Sequence, residues 1–278
     1  MAKKLLALFG LKFNPFVAGV PTHALYRTPR IDEFAWRIET QVADGGFALV
    51  SGEAGCGKSA SLRILAAQLA EMRDVSVGVL TRPHASVADF YRELGHLFGV
   101  PLTPHNRWAG AKALREKWLA HIESSLARPV VIIDEAQETR TSVFNELRLL
   151  SSLDLDAQSI LTVVLAGDAR LTERLGTPEL LPLGSRIRAR LRLEHATSAE
   201  LRECLDHLMK QAGNAKLMTP ELAATLADHA AGNYRVLTNM AGELLAAAAR
   251  REREQLDQGL FIEVFSADAT PAKKRRRA

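Results

Sequence analysis

Cysteine is nearly absent: 278 residues contain only Cys56 and Cys204. That excludes a disulfide-stapled scaffold and a cysteine-rich zinc site, and it points to a reducing compartment. Aromatic residues are few, at 6%. The eight histidines show no paired metal spacing, so zinc is not expected. No apolar run approaches the roughly 20 residues that a membrane-spanning helix needs. The opening MAKKLLALFGLKF is short and lacks the small-residue cleavage pattern of a secretory leader. A cytoplasmic protein with no membrane partner is therefore expected. At 47% hydrophobic and 24% charged residues, disorder and collagen-like repeats are excluded too, and a chain of this length can bury a sizeable core.

An excess of charge of one sign is also lacking outside a single place. The formal net charge is +4, and Lys273, Lys274, Arg275, Arg276 and Arg277 carry five positive charges in a row. Taking those five away from +4 leaves residues 1–272 at −1. The body is near neutral and the high pI belongs to a tail. Such a tail is either a solvated, disordered end or an arm that a polyanion such as nucleic acid would attract, with strong salt dependence.

The patterning gives four segments: a lead-in over 1–43, an α/β domain over 44–194, a helical domain over 195–265 and the basic tail over 266–278. Within the lead-in, a helix is expected around residues 31–42. Apolar runs at 47–50, 75–80, 130–133 and 160–166 read as buried strands, alternating with helical periodicity at 59–72, 87–98, 108–126 and 144–153. Alternating strands and helices predict parallel pairing with right-handed crossovers, hence a three-layer α/β sandwich. Near residue 194 the texture changes. Thr197-Ser198-Ala199-Glu200 is a capping box, Thr219-Pro220-Glu221 is a second helix start, and a third helix is expected from about 233 to 254.

Gly52-Glu53-Ala54-Gly55-Cys56-Gly57-Lys58-Ser59 matches the P-loop pattern G-x-x-x-x-G-K-[ST] at every fixed position. An apolar strand before it and a helix after it, from Ser59, supply the context that the pattern needs, and Ala60 is counted with the loop among the expected nucleotide-binding residues. The glycines let successive backbone N–H groups turn inward around a phosphate, and the helix adds the positive end of its dipole. Lys58 is expected to reach the β and γ phosphates of ATP, and the Ser59 hydroxyl to ligate Mg²⁺. Asp134 and Glu135 follow the apolar strand at 130–133. Two adjacent carboxylates there would be costly unless they stood at the open carboxyl end of a sheet near a cation. Asp134 is placed to hold Mg²⁺ through water and Glu135 to polarise the water that attacks the γ phosphate. A helicase would need two tandem motor domains, and a small-molecule kinase would not need the appended helices.

Together, the P-loop, the Asp-Glu strand end and the helical C-terminal segment resemble the AAA+ ATPases: a P-loop NTPase sandwich followed by a small all-helical lid domain. Asn14-Pro15-Phe16, Gly46-Phe47-Ala48-Leu49-Val50, Ile133-Asp134-Glu135-Ala136-Gln137, and Leu165-Ala166-Gly167-Asp168 with Leu171 look like the ExeA-type branch. That branch includes the ATPases that accompany DDE transposases (the TniB, TnsC and MuB group). The resemblance covers about residues 10–265. It implies that strand 160–166 is the sensor strand with Asp168 near the γ phosphate, although family members often carry asparagine or threonine there. A turn residue after Gly167 is the alternative. It implies that Arg235, in Gly232-Asn233-Tyr234-Arg235, is the sensor arginine that touches nucleotide, with Tyr234 in place of the usual proline. Arg186, Arg188, Arg190 and Arg192 alternate with apolar residues as in a strand with one cationic face. The resemblance assigns Arg186 to the neighbouring subunit's site, in trans, with Arg188 as second candidate. For Arg190 and Arg192, solvated positions on an edge strand are expected.

Cys56 reads as a small filler, and Trp108 and Trp118 as packing residues. Thr81, Arg82, His84 and Lys112 are candidate DNA contacts or else solvated loop positions. The expected function is an oligomeric ATPase, ring or filament, that binds double-stranded DNA without sequence preference and regulates transposition through a DDE transposase or integrase. One alternative is an ExeA-like ATPase coupled to secretion or envelope assembly. Such proteins carry a transmembrane segment and a cell-wall-binding region after the ATPase part, and neither pattern occurs by residue 278. The other is an ATP-gated DNA-coating scaffold with little turnover.

Overall fold

The computed structural model describes residues 2–80, 83, 85–101, 107–153 and 158–265. The chain divides into two compact units, one from Arg27 to Glu194 and one that joins residues up to Tyr26 with those from His195 onward.

The unit from Arg27 to Glu194 is built on β1 (Gly46–Gly52), β2 (Val75–Leu80), β3 (Arg128–Ile133), the short β4 (Ser152–Leu153) and β5 (Gln158–Ser159), β6 (Thr162–Gly167) and β7 (Ile187–Leu193). Five of them form one sheet in the order β2-β3-β6-β1-β7, every pair parallel. β4 and β5 pair antiparallel as a separate ribbon. The central strands β3, β6 and β1 are buried on both faces, as their uninterrupted apolar runs require, while β2 and β7 at the two ends are partly exposed. On one face Phe47, Leu49, Val131, Ile133, Val163 and Leu165 pack with Phe90, Leu94, Leu114, Trp118, Phe144 and Leu147. The alternate residues Ala48, Val50, Val130, Ile132 and Val164 are equally buried, so the opposite face is covered as well. The result is the three-layer α/β sandwich expected.

Several limits differ from the sequence expectation: β1 runs Gly46–Gly52 instead of 47–50, and β6 runs Thr162–Gly167 instead of 160–166. β3 starts at Arg128, with Pro129 opposite Ser76; a missing N–H is tolerated so near a strand start. The helix expected at 144–153 runs instead Thr141–Ser151, because Ser152 and Leu153 leave it to pair with Gln158 and Ser159.

The other unit is helical: Ser198–Ala212, Pro220–Ala230, Tyr234–Arg250 and Gln258–Phe265, with Ala2–Phe9 added from the N-terminal end. The capping box at Thr197 forms in full. Its hydroxyl oxygen accepts from the Glu200 N–H at 3.2 Å, and the Thr197 N–H donates to Glu200 Oε2 at 2.8 Å. Thr219 caps the next helix through the Leu222 N–H at 3.2 Å, with Pro220 in its first turn. Leu201, Leu205, Leu226, Leu237, Leu244 and Leu260 form the core, which also takes in Phe9, Leu11 and Phe16. Asn14 Oδ1 accepts from the Phe16 N–H at 3.0 Å and so fixes the turn that delivers Phe16 to that core. Among the described residues, no helix is long and apolar enough to cross a membrane, and no cluster of three or more His, Cys, Asp or Glu could hold a metal ion.

Candidate nucleotide site

β1 ends at Gly52, the loop turns through Gly55 and Gly57, and a helix begins at Lys58. Gly55 and Gly57 have φ of +85° and +97°, the left-handed region in which only glycine is unstrained. This curl is what allows backbone N–H groups to converge on a phosphate. Lys58 is buried, and its ammonium donates to the carbonyls of Gly52 at 2.9 Å and Glu53 at 3.0 Å. An ammonium has three N–H donors, so a phosphate oxygen can be added without breaking either bond.

The second half of the site comes from β3. The Ser59 hydroxyl donates to Asp134 Oδ2 at 2.6 Å, which joins two motifs far apart in the sequence. Asp134 Oδ1 accepts from the Glu135 N–H at 2.9 Å. A hydroxyl and a carboxylate oxygen in contact are the hard donors that Mg²⁺ prefers, so the residues present fit that ion together with a polyphosphate. Glu135 itself has φ +49° and ψ 40°, a left-handed conformation that costs a non-glycine residue about 1–3 kcal/mol and that concentrates at functional sites. Its Oε2 accepts from Gln137 Nε2.

Asp168 lies where β6 ends and caps the helix Ala169–Leu175, accepting from the Arg170 N–H at 3.0 Å. The Arg170 guanidinium also grips its carboxylate, at 2.8 and 2.9 Å, and reaches Glu138 at 3.0 Å. The hydrogen bond from Arg170 is the main reason that Asp168 is held below the usual carboxylate range, with a further contribution from the charge of Lys58. Asp168 is therefore within electrostatic reach of the phosphate loop while already engaged as a helix cap. Burial pushes the Cys56 thiol up, against the opposing charge of Lys58. The reactive thiolate is disfavoured, as suits a filler.

The structure thus brings together the loop from Gly52 to Ser59, Asp134, Glu135 and Asp168, all at the carboxyl end of the sheet. Arg186 is elsewhere. It precedes β7, whose Ile187 pairs with Phe47 at the amino end of β1; five strand steps separate Phe47 from Gly52 at the start of the loop, roughly 17 Å. The Arg186 guanidinium donates to the Pro182 carbonyl. Arg188, Arg190 and Arg192 point out from β7 while Ala189 and Leu191 are buried, the period-two pattern expected of an edge strand. Arg190 donates to the Gly184 carbonyl at 3.3 Å, and Arg192 lies 3.7 Å from Glu194. Arg235 belongs to the helical unit. Its N–H is bound by Asn233 Oδ1 at 3.0 Å at the start of the helix Tyr234–Arg250. Lys112 is on an exposed helical face beside Glu116. Trp118 is buried edge-on to Phe98. Thr81, Arg82, His84, the side chain of Trp108 and the basic tail lie outside the described residues.

Sequence reasoning missed Gln137, Arg170 and Arg174. Gln137 is buried, its carbonyl accepts from Arg174, and its side chain lies against Gly167. A Cβ at Gly167 would stand 2.5 Å from Gln137 Oε1 and 2.8 Å from Leu171 Cδ2. Gly167→Ala should therefore destabilise this unit by about 1–3 kcal/mol and disturb Glu135 through Gln137. Denaturant unfolding checks this, and an unchanged midpoint would show that the two side chains yield freely.

A strand, a glycine-rich phosphate loop capping a helix, and an acidic pair on the neighbouring parallel strand but one define a P-loop NTPase fold. With the helical C-terminal region, it is the AAA+ fold. Residues 42–175 match the family model described as AAA domain. The chain is 30% identical over 256 residues to General secretion pathway protein A of Aeromonas hydrophila, a match that takes in 90% of this chain and 46% of that protein. The chain thus spans about half the length of the curated relative. Among solved structures it is similar to Cdc6p from Pyrobaculum aerophilum (TM-score 0.70, 14% identity, 91% of this chain and 70% of that one). It is also similar to the Aeropyrum pernix ORC2 protein in its ADPNP-ADP complexes (TM-score 0.71, 16% identity, 91% and 71%). A third is the Aeropyrum pernix ORC1 protein in complex with DNA (TM-score 0.65, 17% identity, 90% and 67%). At these identities the likeness is one of fold.

Proposed function

We propose that the chain is an ATP-hydrolysing, oligomeric DNA-binding protein that regulates transposition by assembling on target DNA and recruiting or activating a DDE transposase. The observation that carries the ATPase part is the contact of Ser59 with Asp134 beneath the phosphate loop, with Glu135 next in sequence. In this reading Lys58 takes the β and γ phosphates, and Ser59 and Asp134 hold Mg²⁺, which neutralises phosphate charge when bound. Glu135 accepts the proton as a water oxygen bonds to the γ phosphorus and the bond to ADP breaks. Arg235 serves as the sensor arginine, and Asp168 stands near the γ phosphate. Arg186, so far from its own loop, can act only on a neighbouring subunit's nucleotide, which makes turnover depend on a ring or filament.

The DNA part is supported by the similarity in fold to a protein solved in complex with DNA, the basic run at 273–277 and the lead-in and strand motifs of the ExeA-type branch. Contacts would be mainly to phosphates. ATP-dependent binding to non-specific duplex DNA over a salt series tests it. Cooperative binding that needs ATP and weakens steeply with salt is expected, and a purified DDE transposase should be retained on the resulting complex. Intact ATPase activity with no DNA binding would overturn the reading. It would favour a second one, an ATPase coupled to secretion or envelope assembly, for which the 30% identity to General secretion pathway protein A speaks. Binding without any DNA stimulation of hydrolysis would mark a DNA-coating scaffold.

A further inference from the structure

We propose that Gln137 is a positioning residue for hydrolysis, a buried amide that fixes the carboxylate of Glu135 from the side of β6. This rests on the reading that Glu135 polarises the attacking water. Glu135 is otherwise poorly constrained: it begins a single 3-10 turn, its backbone is left-handed, and its side chain is exposed. Its Oε2 is held by Gln137 Nε2, a charge-assisted bond from a neutral donor.

Gln137 in turn is fixed three ways. It is 7% exposed, its carbonyl accepts from the Arg174 guanidinium, and its side-chain oxygen lies 2.5 Å from where a Cβ on Gly167 would stand. Arg174 is itself anchored over the ring of Phe144, 5.4 Å from its centroid. The decisive feature is that Gln137 Oε1 is buried with no hydrogen-bond partner. A side chain selected for packing alone would be apolar, or would satisfy both ends of its amide. Turning the amide over would place oxygen against the Glu135 carboxylate. The observed orientation therefore favours Glu135 at the expense of the amide oxygen, and it ties the carboxylate to the same strand end that carries Gly167 and Asp168. Because Gly167 has no side chain, the end of β6 leaves room for the Gln137 amide beside it.

The test is Gln137→Met, which keeps length and bulk but removes the N–H donor, with Gln137→Leu as a second variant should methionine fail to fold. ATP binding by fluorescence titration establishes that the variant is folded. Turnover should fall about 10- to 100-fold, with KM for ATP changed by no more than about threefold. In a Glu135→Gln background, the same change should produce no further loss, because the group it positions is already gone. Wild-type turnover in both folded variants, with Glu135→Gln inactive, would overturn the inference alone. An undiminished extra loss in the Glu135→Gln background would overturn it too, by marking a merely structural role. If Glu135→Gln itself retained turnover, the underlying reading of Glu135 would fail instead.

Discussion

Lys58→Ala should reduce ATP affinity by roughly 30- to 3,000-fold, because it removes a buried cation from the phosphate loop. Truncating one partner of a desolvated, hydrogen-bonded charge pair costs about 2–5 kcal/mol, and each 1.4 kcal/mol is about tenfold in affinity. The phosphates would lose the Lys58 ammonium, and the carbonyls of Gly52 and Glu53 would lose their shared donor, so the loop would lose a brace as well as a charge. A thermal shift titration is the sensitive readout. At a ligand concentration of about 100 times Kd, a folded protein gains about 2.7 kcal/mol by mass action, and the variant should show almost none of that gain. Because the proposed assembly needs bound nucleotide, ATP-dependent binding to duplex DNA should vanish with it. A variant that kept wild-type ATP affinity would show that the loop does not hold the triphosphate through Lys58.

Glu135→Gln should behave in the opposite way: binding kept, turnover lost. General-base assistance contributes typically about 100- to 10,000-fold, and glutamine preserves the size of the side chain while removing the carboxylate that takes the proton. Hydrolysis measured by phosphate release should fall within that range, and ATP-dependent complexes on DNA should persist far longer than those of the wild-type protein. Release as fast as wild type would separate disassembly from hydrolysis and sink that part of the proposal. The asymmetry between the two variants is the useful result. Lys58 acts on the bound ground state and Glu135 on the bond-breaking step, so their effects fall on affinity and turnover respectively.

The phosphate loop and acidic pair were legible because each is local: consecutive residues, flanked by a strand with uninterrupted apolar character. β2, at Val75–Leu80, follows from its own sequence for the same reason. What escaped detection depends on tertiary approach. Gln137 stands in the motif Ile133-Asp134-Glu135-Ala136-Gln137 without a role that its spacing assigns, and its packing appears only when β6 delivers Gly167 against it. The N-terminal helix Ala2–Phe9 is too short to be marginally stable alone. It is secured by Phe9 and Leu11 in a core whose other members, Phe16 apart, lie beyond residue 200. The third helix, expected to run to about 254, stops at Arg250 because Glu252 turns left-handed, with φ +54°. The charged run Arg250-Arg251-Glu252-Arg253 hides that stop, having ordinary helix propensity throughout. The following helix, Gln258–Phe265, is not among the helices expected from sequence, and it is seated by Leu260, which is fully buried.

β7 stands at one end of the sheet, and a terminal strand is a template on which a foreign chain can add itself. The guanidinium groups of Arg188, Arg190 and Arg192 project from it. A second copy laid alongside in register would bring like charges face to face, a standing deterrent to uncontrolled stacking.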